Sequence, residues 1–295
     1  MFASKAVKKL TDYGTLVMFS HTVFSLSFAV ISMLLAAKGL PSLWKGFWIL
    51  AAFLGARTGA NSLNRVIDAE IDKLNPRTRD RQIPRGEIRK SEAAGLAAVS
   101  FAIMLFSAAM LNKLCLFLSP AALLLMVGYS YTKRFTWLCH VILGITTAAA
   151  PVGAWLAVTG RLTFTPLLMG AANTLWVAGF DIIYGIQDYD FDKSTGLHSI
   201  PVRFGICRAL VISSVFHLLS CICLLTLGLI GSQLGTVYFV GLLMITVLFA
   251  IEHTLVAKTK NPGDIDSSVF SFTSYTLNQV ISITFLAAAV LDIIT

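Results

Sequence analysis

Nine apolar runs dominate this 295-residue chain, near 15–37, 43–63, 94–111, 115–131, 138–158, 165–187, 208–231, 235–256 and 269–292. Each is long enough to cross ~30 Å of hydrocarbon as a helix. Such a chain has too few charged groups to cover a core in water: Asp, Glu, Lys and Arg make up 13% of it, about half the ~25% of a soluble domain. Hydrophobic residues are 56% and mean hydropathy is +0.78. This excludes a soluble dinucleotide-binding enzyme, a secreted disulfide scaffold and a disordered tail. Cys115, Cys139, Cys207, Cys221 and Cys223 form no CxxC and no zinc-type spacing with histidine. They read as buried, inert thiols, with Cys207 in a polar loop. Lys5, Lys8 and Lys9 precede the first run as they would in a signal peptide, but the run is long and eight more follow, so a retained first helix is expected.

The net charge of +8 raises the question of nucleic acid, and its distribution answers it. With the N-terminus in the cytoplasm, eighteen of the 23 basic residues fall on the cytoplasmic side. Only Lys38, Lys45, Lys113 and Arg161 fall on the other, and Arg57 lies inside a helix. That is the positive-inside asymmetry of a multi-pass protein of the inner (cytoplasmic) membrane. It accounts for the charge without a nucleic-acid partner, and nine spans put the C-terminus outside. No obligate protein partner is implied.

The acidic residues follow another logic. Ten of the 15 lie in two cytoplasmic-side segments, which the positive-inside rule does not require. Asn61, Asn64, Asp68 and Asp72 are spaced 3, 4, 4 on the second helix, with Arg57 one turn before them. Asp181, Tyr184, Asp188 and Asp192 repeat that spacing 120 residues later. Each stripe climbs out of an apolar helix and leads to an Ile-Pro loop, Ile83-Pro84 with Gly86 and Ile200-Pro201 with Gly205. The expectation is one membrane domain over 1–295. It divides into repeat 1 (about 15–134), repeat 2 (about 138–260) and an extra helix (about 269–292).

Carboxylates one turn apart repel, and charge near lipid is costly, so a cation is needed to offset them. Clustered carboxylate oxygens suit a hard ion such as Mg²⁺, which commonly bridges to phosphate. Arg77, Arg79, Arg81, Lys133, Arg134, Lys193 and Arg203 lie on the same side, and such a mixture describes a site for a metal-bound polyphosphate. Solvated helix ends explain one such stripe more easily than two matched ones.

The motifs resemble those of the UbiA-type membrane prenyltransferases over nearly the whole chain. Asn64-Arg65-Val66-Ile67-Asp68-Ala69-Glu70-Ile71-Asp72 matches the first acidic motif, and Arg77-Thr78-Arg79-Asp80-Arg81-Gln82-Ile83-Pro84-Arg85-Gly86 the signature after it. Asp181, Tyr184, Asp188 and Asp192 match the second motif, and Tyr131-Thr132-Lys133-Arg134 a basic segment after the fourth helix. The resemblance implies an all-α integral membrane fold, nine helices as two four-helix repeats plus a ninth around a central cavity. It implies Mg²⁺-dependent transfer from a polyprenyl diphosphate to an aromatic acceptor. Asn64, Asp68, Asp72, Asp188 and Asp192 then correspond to the metal-binding positions. Lys133 and Arg134 face diphosphate, with Arg77, Arg81 and Lys193 grouped with them. Arg57, with Asn61 beside it, corresponds to acceptor binding in benzoate-prenylating members. Arg65 replaces the commoner Asp, a form resembling 4-hydroxybenzoate-type enzymes, some linked to menaquinone made through futalosine. This leaves ubiquinone and menaquinone pathways both open.

Asp181 is the expected helper of the acceptor phenol, with Tyr184 on the same face. It lies seven residues before Asp188, about 10 Å deeper at 1.5 Å per residue. His21, Asn278 and Gln279 read as interhelical hydrogen bonders, Asn173 and Trp176 as packing or cavity lining, and Glu252 and His253 as a solvated helix end. Naphthoate, haem and chlorophyll-type acceptors are rivals within the enzyme class. A secondary transporter also combines repeats with intramembrane carboxylates, but here the carboxylates gather at one face, with Asp292 alone near the other.

Overall fold

The computed structural model describes residues 12–16 and 22–295. Lys5, Lys8, Lys9 and His21, to which the sequence assigned roles, lie outside the described residues. All regular structure among the described residues is helical. Among the described residues, seven helices are long and apolar enough to span a membrane: Lys90–Leu111, Lys113–Thr132, Cys139–Thr159, Phe164–Ile186, Ile206–Ile230, Thr236–Val256 and Ser267–Ile294. Their outward side chains are apolar and bare, with Phe117 at 78%, Leu124 at 73% and Leu229 at 72% exposure, as expected where lipid is the solvent. The chain is an integral, multi-pass membrane protein.

The first two of the nine expected runs differ for physical reasons. The helix Thr22–Ala37 has 16 described residues, about 24 Å at 1.5 Å per residue, and its apolar stretch is Ser25–Ala37. The helix Leu43–Ile67 is 25 residues long, but Lys45, Arg57, Asn61, Asn64 and Arg65 interrupt its apolar character.

Two compact units make up the chain. One holds 46–131 with the described part of 1–22; the other holds 23–45 and 132–295. In the first unit, small residues let helices approach closely. A Cβ on Gly55 would lie 2.6 Å from the Ser100 carbonyl oxygen, and one on Gly59 2.7 Å from the Phe101 ring. Helix association in lipid rests on this kind of contact because apolar burial supplies little drive there.

In the second unit the core centres on Trp176, with 0% exposure, whose ring meets Phe28 and Phe249 edge-on at 5.3 and 5.2 Å. Trp176 is therefore packing. Its Nε1 donates to Asn278 Oδ1 at 2.8 Å, and Asn278 Nδ2 donates to Glu252 Oε1 at 2.8 Å. Glu252 has 0% exposure, which corrects the expectation of a solvated helix end. His253 turns inward too: its Nε2 is 3.0 Å from His217 Nδ1 and its Nδ1 3.0 Å from Ser214 Oγ. A polar group inside lipid needs such partners, and helix neighbours distant in sequence supply them here. Asn278 also donates to the Thr273 carbonyl, five residues back, at 2.9 Å. That bond accompanies a π-helical turn over Phe272–Leu277, so the last span is Ser267–Ser271, this turn and Asn278–Ile294 rather than one continuous α-helix. Cys207 sits in the first turn of Ile206–Ile230, exposed, rather than in a loop. Asp292 Oδ2 accepts the backbone N–H groups of Gly235 and Tyr238, both at 2.7 Å, and so caps the helix Thr236–Val256.

Candidate active site

The first acidic stripe is not on one unbroken helix. The helix Leu43–Ile67 ends where Asp68 leaves helical geometry, at φ −91° and ψ 2°, and a short helix Ala69–Leu74 follows. Asn64 Nδ2 donates to Asp68 Oδ2 at 2.9 Å, and Ser130 Oγ lies 3.4 Å from the same nitrogen. Asp72 is 5% exposed. Its Oδ1 accepts from Arg81 Nη1 at 2.6 Å, and its backbone carbonyl accepts from Thr78 Oγ1 at 3.1 Å. The Arg-Thr-x-x-Arg signature thus folds back onto the motif it follows. Asn75 Oδ1 accepts the Arg77 N–H at 2.9 Å, starting that turn. Ile83 of the Ile-Pro loop is buried with Leu16, Ala69, Ile88 and Ala93, which anchors the loop. Asp72 Oδ2 is buried and makes no hydrogen bond.

The second stripe repeats this device. The helix Phe164–Ile186 ends, Asp188 stands at φ −97° and ψ 6°, and a short helix Tyr189–Thr195 follows. Asp192 has 0% exposure and Asp188 5%. Lys133 Nζ lies 2.9 Å from Asp192 Oδ2, while Asp192 Oδ1 is buried with no hydrogen-bond partner. The Lys133 carbonyl accepts the His198 N–H at 2.8 Å, tying the basic segment to the loop after the motif. Burial works against the Lys133 ammonium, but Asp192 and Asp188 outweigh it and hold the pKa above the usual lysine value. Burial raises the Asp192 carboxyl above its ordinary range, against the pull of Lys133. Ile200 of the second Ile-Pro loop is buried with Ile182 and Ala209.

Other expected site residues fall as follows. Arg57, Asn61, Arg77 and Arg134 are half-buried, and Lys193 is exposed with its ammonium 5.5 Å from the centre of the Tyr189 ring. Tyr184 meets the Tyr275 ring edge-on at 5.1 Å; the π-helical turn carries Tyr275, and nothing in the sequence pattern singled it out. Asp181 Oδ2 lies 2.7 Å from His140 Nδ1. His140 was also missed, because it stands at the start of an apolar run 41 residues earlier. Its only sequence signal is a lone histidine in that run.

Among the described residues, no group of three His, Cys, Asp or Glu side chains is gathered closely enough to enclose a metal ion. The donor chemistry nonetheless suits a hard cation. Each motif ends on a buried aspartate with an oxygen that neither a hydrogen bond nor an ion pair engages, Asp72 Oδ2 and Asp192 Oδ1, and carboxylate oxygens are the ligands Mg²⁺ prefers.

Known proteins resemble this chain in sequence and fold. The profile described as the UbiA prenyltransferase family matches residues 25–275. A protein of Marinobacter nauticus named 4-hydroxybenzoate octaprenyltransferase is 30% identical over 263 residues, covering 86% of each chain. The apo structure of a UbiA homolog from Aeropyrum pernix K1 superposes with a TM-score of 0.81 at 32% identity, covering 92% of this chain and 98% of that one. A UbiA homolog from Archaeoglobus fulgidus bound to DMAPP and Mg²⁺ shares the fold, with a TM-score of 0.69 at 22% identity over 96% of this chain and 99% of that one. With both acidic motifs and six of the seven apolar spans of the described residues inside the matched segment, this chain belongs to the UbiA prenyltransferase family and is a membrane-embedded prenyltransferase.

Proposed function

We propose that this enzyme transfers a polyprenyl group from a polyprenyl diphosphate to a 4-hydroxybenzoate-type aromatic acid, with Mg²⁺, in the biosynthesis of a membrane quinone, ubiquinone or menaquinone. One observation carries the reading. In both motifs the middle aspartate, Asp68 or Asp188, sits at the same backbone break, and four residues on a buried aspartate is engaged by a base, Arg81 or Lys133. Buried, paired charges of this kind point to a function that retains them. The Marinobacter relative's name supports the acceptor class, and the Archaeoglobus homolog with DMAPP and Mg²⁺ supports the donor and the metal.

Asn64, Asp68, Asp72, Asp188 and Asp192 would hold the metal, which when bound neutralises charge building on the departing diphosphate. Arg77, Arg81, Lys133, Arg134 and Lys193 bind the diphosphate oxygens and favour ionisation of the allylic C–O bond. Arg57 and Asn61 hold the acceptor's carboxylate; a guanidinium matches it with two parallel hydrogen bonds. Asp181 accepts a hydrogen bond from the acceptor phenol, which raises electron density at the ring carbon that attacks, and a base then removes that carbon's proton. Tyr184, against Tyr275, presents an aromatic edge beside it. The allylic cation requires surroundings from which water is excluded. The same reading includes nine spans in two four-helix repeats plus one. The active side faces the cytoplasm at the inner membrane, with the N-terminus inside and the C-terminus outside.

In lipid nanodiscs with a polyprenyl diphosphate and 4-hydroxybenzoate, the protein is expected to form a Mg²⁺-dependent product carrying the prenyl group. Asp68→Asn or Asp188→Asn removes a ligand charge worth about 3 kcal/mol of transition-state stabilisation, or about 100-fold in rate. Near wild-type turnover in either folded variant at saturating Mg²⁺ sinks the proposal.

A further inference from the structure

Asp181 has a partner that the acidic motif does not contain. His140 is the second residue of the helix Cys139–Thr159, and Asp181 lies in the last turns of Phe164–Ile186. The two helices approach through glycines. A Cβ on Gly144 would lie 2.4 Å from the Thr174 carbonyl oxygen, and one on Gly185 2.9 Å from His140 Cε1. The imidazole therefore sits over bare backbone at Gly185, one turn beyond Asp181, with its Nδ1 2.7 Å from Asp181 Oδ2. The two side chains differ in access: His140 is 4% exposed and Asp181 24%.

The hydrogen count selects a tautomer. A contact of this length needs a proton between the two atoms. His140 Nε2 is buried and makes no hydrogen bond. A proton there would leave an orphan N–H donor inside the protein, and an imidazolium would bury that donor together with a charge. The arrangement that leaves the fewest unmet groups is neutral His140 with its proton on Nδ1, donated to an ionised Asp181. That bond occupies Oδ2 and leaves Oδ1 for a ligand. Because His140 is closed off, the ligand meets Asp181 and not the ring.

We propose that His140 is the positioning residue for Asp181. Its Nδ1–H fixes the carboxylate orientation, so that Oδ1 accepts the hydrogen bond of the acceptor's phenol. This rests on the proposed aromatic-acid reaction and adds a residue to it. The pair resembles in logic an orienting group behind an acid–base residue, where outer partners commonly tune activity by about 10- to 100-fold.

The test compares two substitutions and one spectrum. His140→Leu is expected to lower kcat about 10- to 100-fold and leave the diphosphate KM within about twofold. His140→Asn carries an amide N–H close to the Nδ1 position and is expected to recover most of that loss. Asp181→Asn should cost no more in the His140→Leu background than alone. If the ring serves only as filling, Asn, smaller and polar, will be no better than Leu, and that result overturns the proposal, as does wild-type kcat in both. The second readout does not depend on turnover. In ¹⁵N spectra of histidine-labelled protein, the His140 signals, assigned by their loss in His140→Asn, are expected to show a protonated Nδ1 and a bare Nε2. The Nδ1 signal should move on Asp181→Asn. The opposite tautomer, or no response to Asp181→Asn, refutes the pair. If the wild type forms no prenylated aromatic acid, the proposed acceptor fails, and the spectrum still decides whether His140 orients Asp181.

Discussion

Replacing Lys133 by methionine tests whether its ion pair holds the second motif together. At 2.9 Å from Asp192 Oδ2, the attraction is about 6 kcal/mol at an effective dielectric of 20. Desolvation of both groups offsets much of this, and Lys133 retains 35% side-chain exposure, so water screens part of the remainder. Asp192, at 0% exposure, has no such relief. Removing the lysine strands its charge, and about 3 kcal/mol of stability is the expected loss, the low end for breaking a buried pair. Unfolding in mixed micelles, followed by tryptophan fluorescence, measures it. Lys133→Met/Asp192→Asn should recover most of the stability, since neither member of the pair is left as a stranded charge, yet remain inactive. The loss in Lys133→Met should also shrink as pH falls. Burial already holds the Asp192 carboxyl above its ordinary range, so without Lys133 the folded state binds the proton more readily than the unfolded chain, and stability declines as pH rises through the folded pKa. A Lys133→Met protein within about 0.5 kcal/mol of wild type, or a double variant no more stable than the single, would refute the reasoning.

Other expectations follow from single contacts. Asn278→Ala strands Trp176 Nε1 and Glu252 Oε1 and should cost about 3 kcal/mol. Glu252→Gln, which keeps an acceptor for the Asn278 amide, should cost clearly less, and equal losses by thermal unfolding would contradict this. Arg57→Lys should raise the KM of the aromatic acid by about tenfold or more, since lysine cannot make the paired hydrogen bonds, with the diphosphate KM nearly unchanged; a rise in the latter alone removes Arg57 from the acceptor. Cysteines at Arg79 and Ser194, both exposed, should react with an impermeant thiol reagent in inverted vesicles but not in intact cells, and labelling of intact cells reverses the proposed orientation.

How much was legible in advance depends on the range of the interaction. The seven apolar spans follow from hydropathy alone, because in lipid the backbone must satisfy itself within each segment, so length and composition suffice. The acidic stripes, their equal spacing and the Ile-Pro loops are also linear patterns, readable without coordinates. The pairing of those residues is not. Asp72 meets Arg81 nine residues on, and Asp181 meets His140 41 residues back. Glu252 read as a solvated helix end until Asn278 and His217 appeared around it. Periodicity places a polar residue on a helix face but does not say whether that face meets lipid headgroups, water or another helix. Nor does it show the π-helical turn at Phe272–Leu277, where a side chain takes a backbone carbonyl for itself. Only the packing of distant helices decides those partners, because a buried polar group costs too much to be left unpaired, and the group that answers it comes from whichever helix the fold brings alongside.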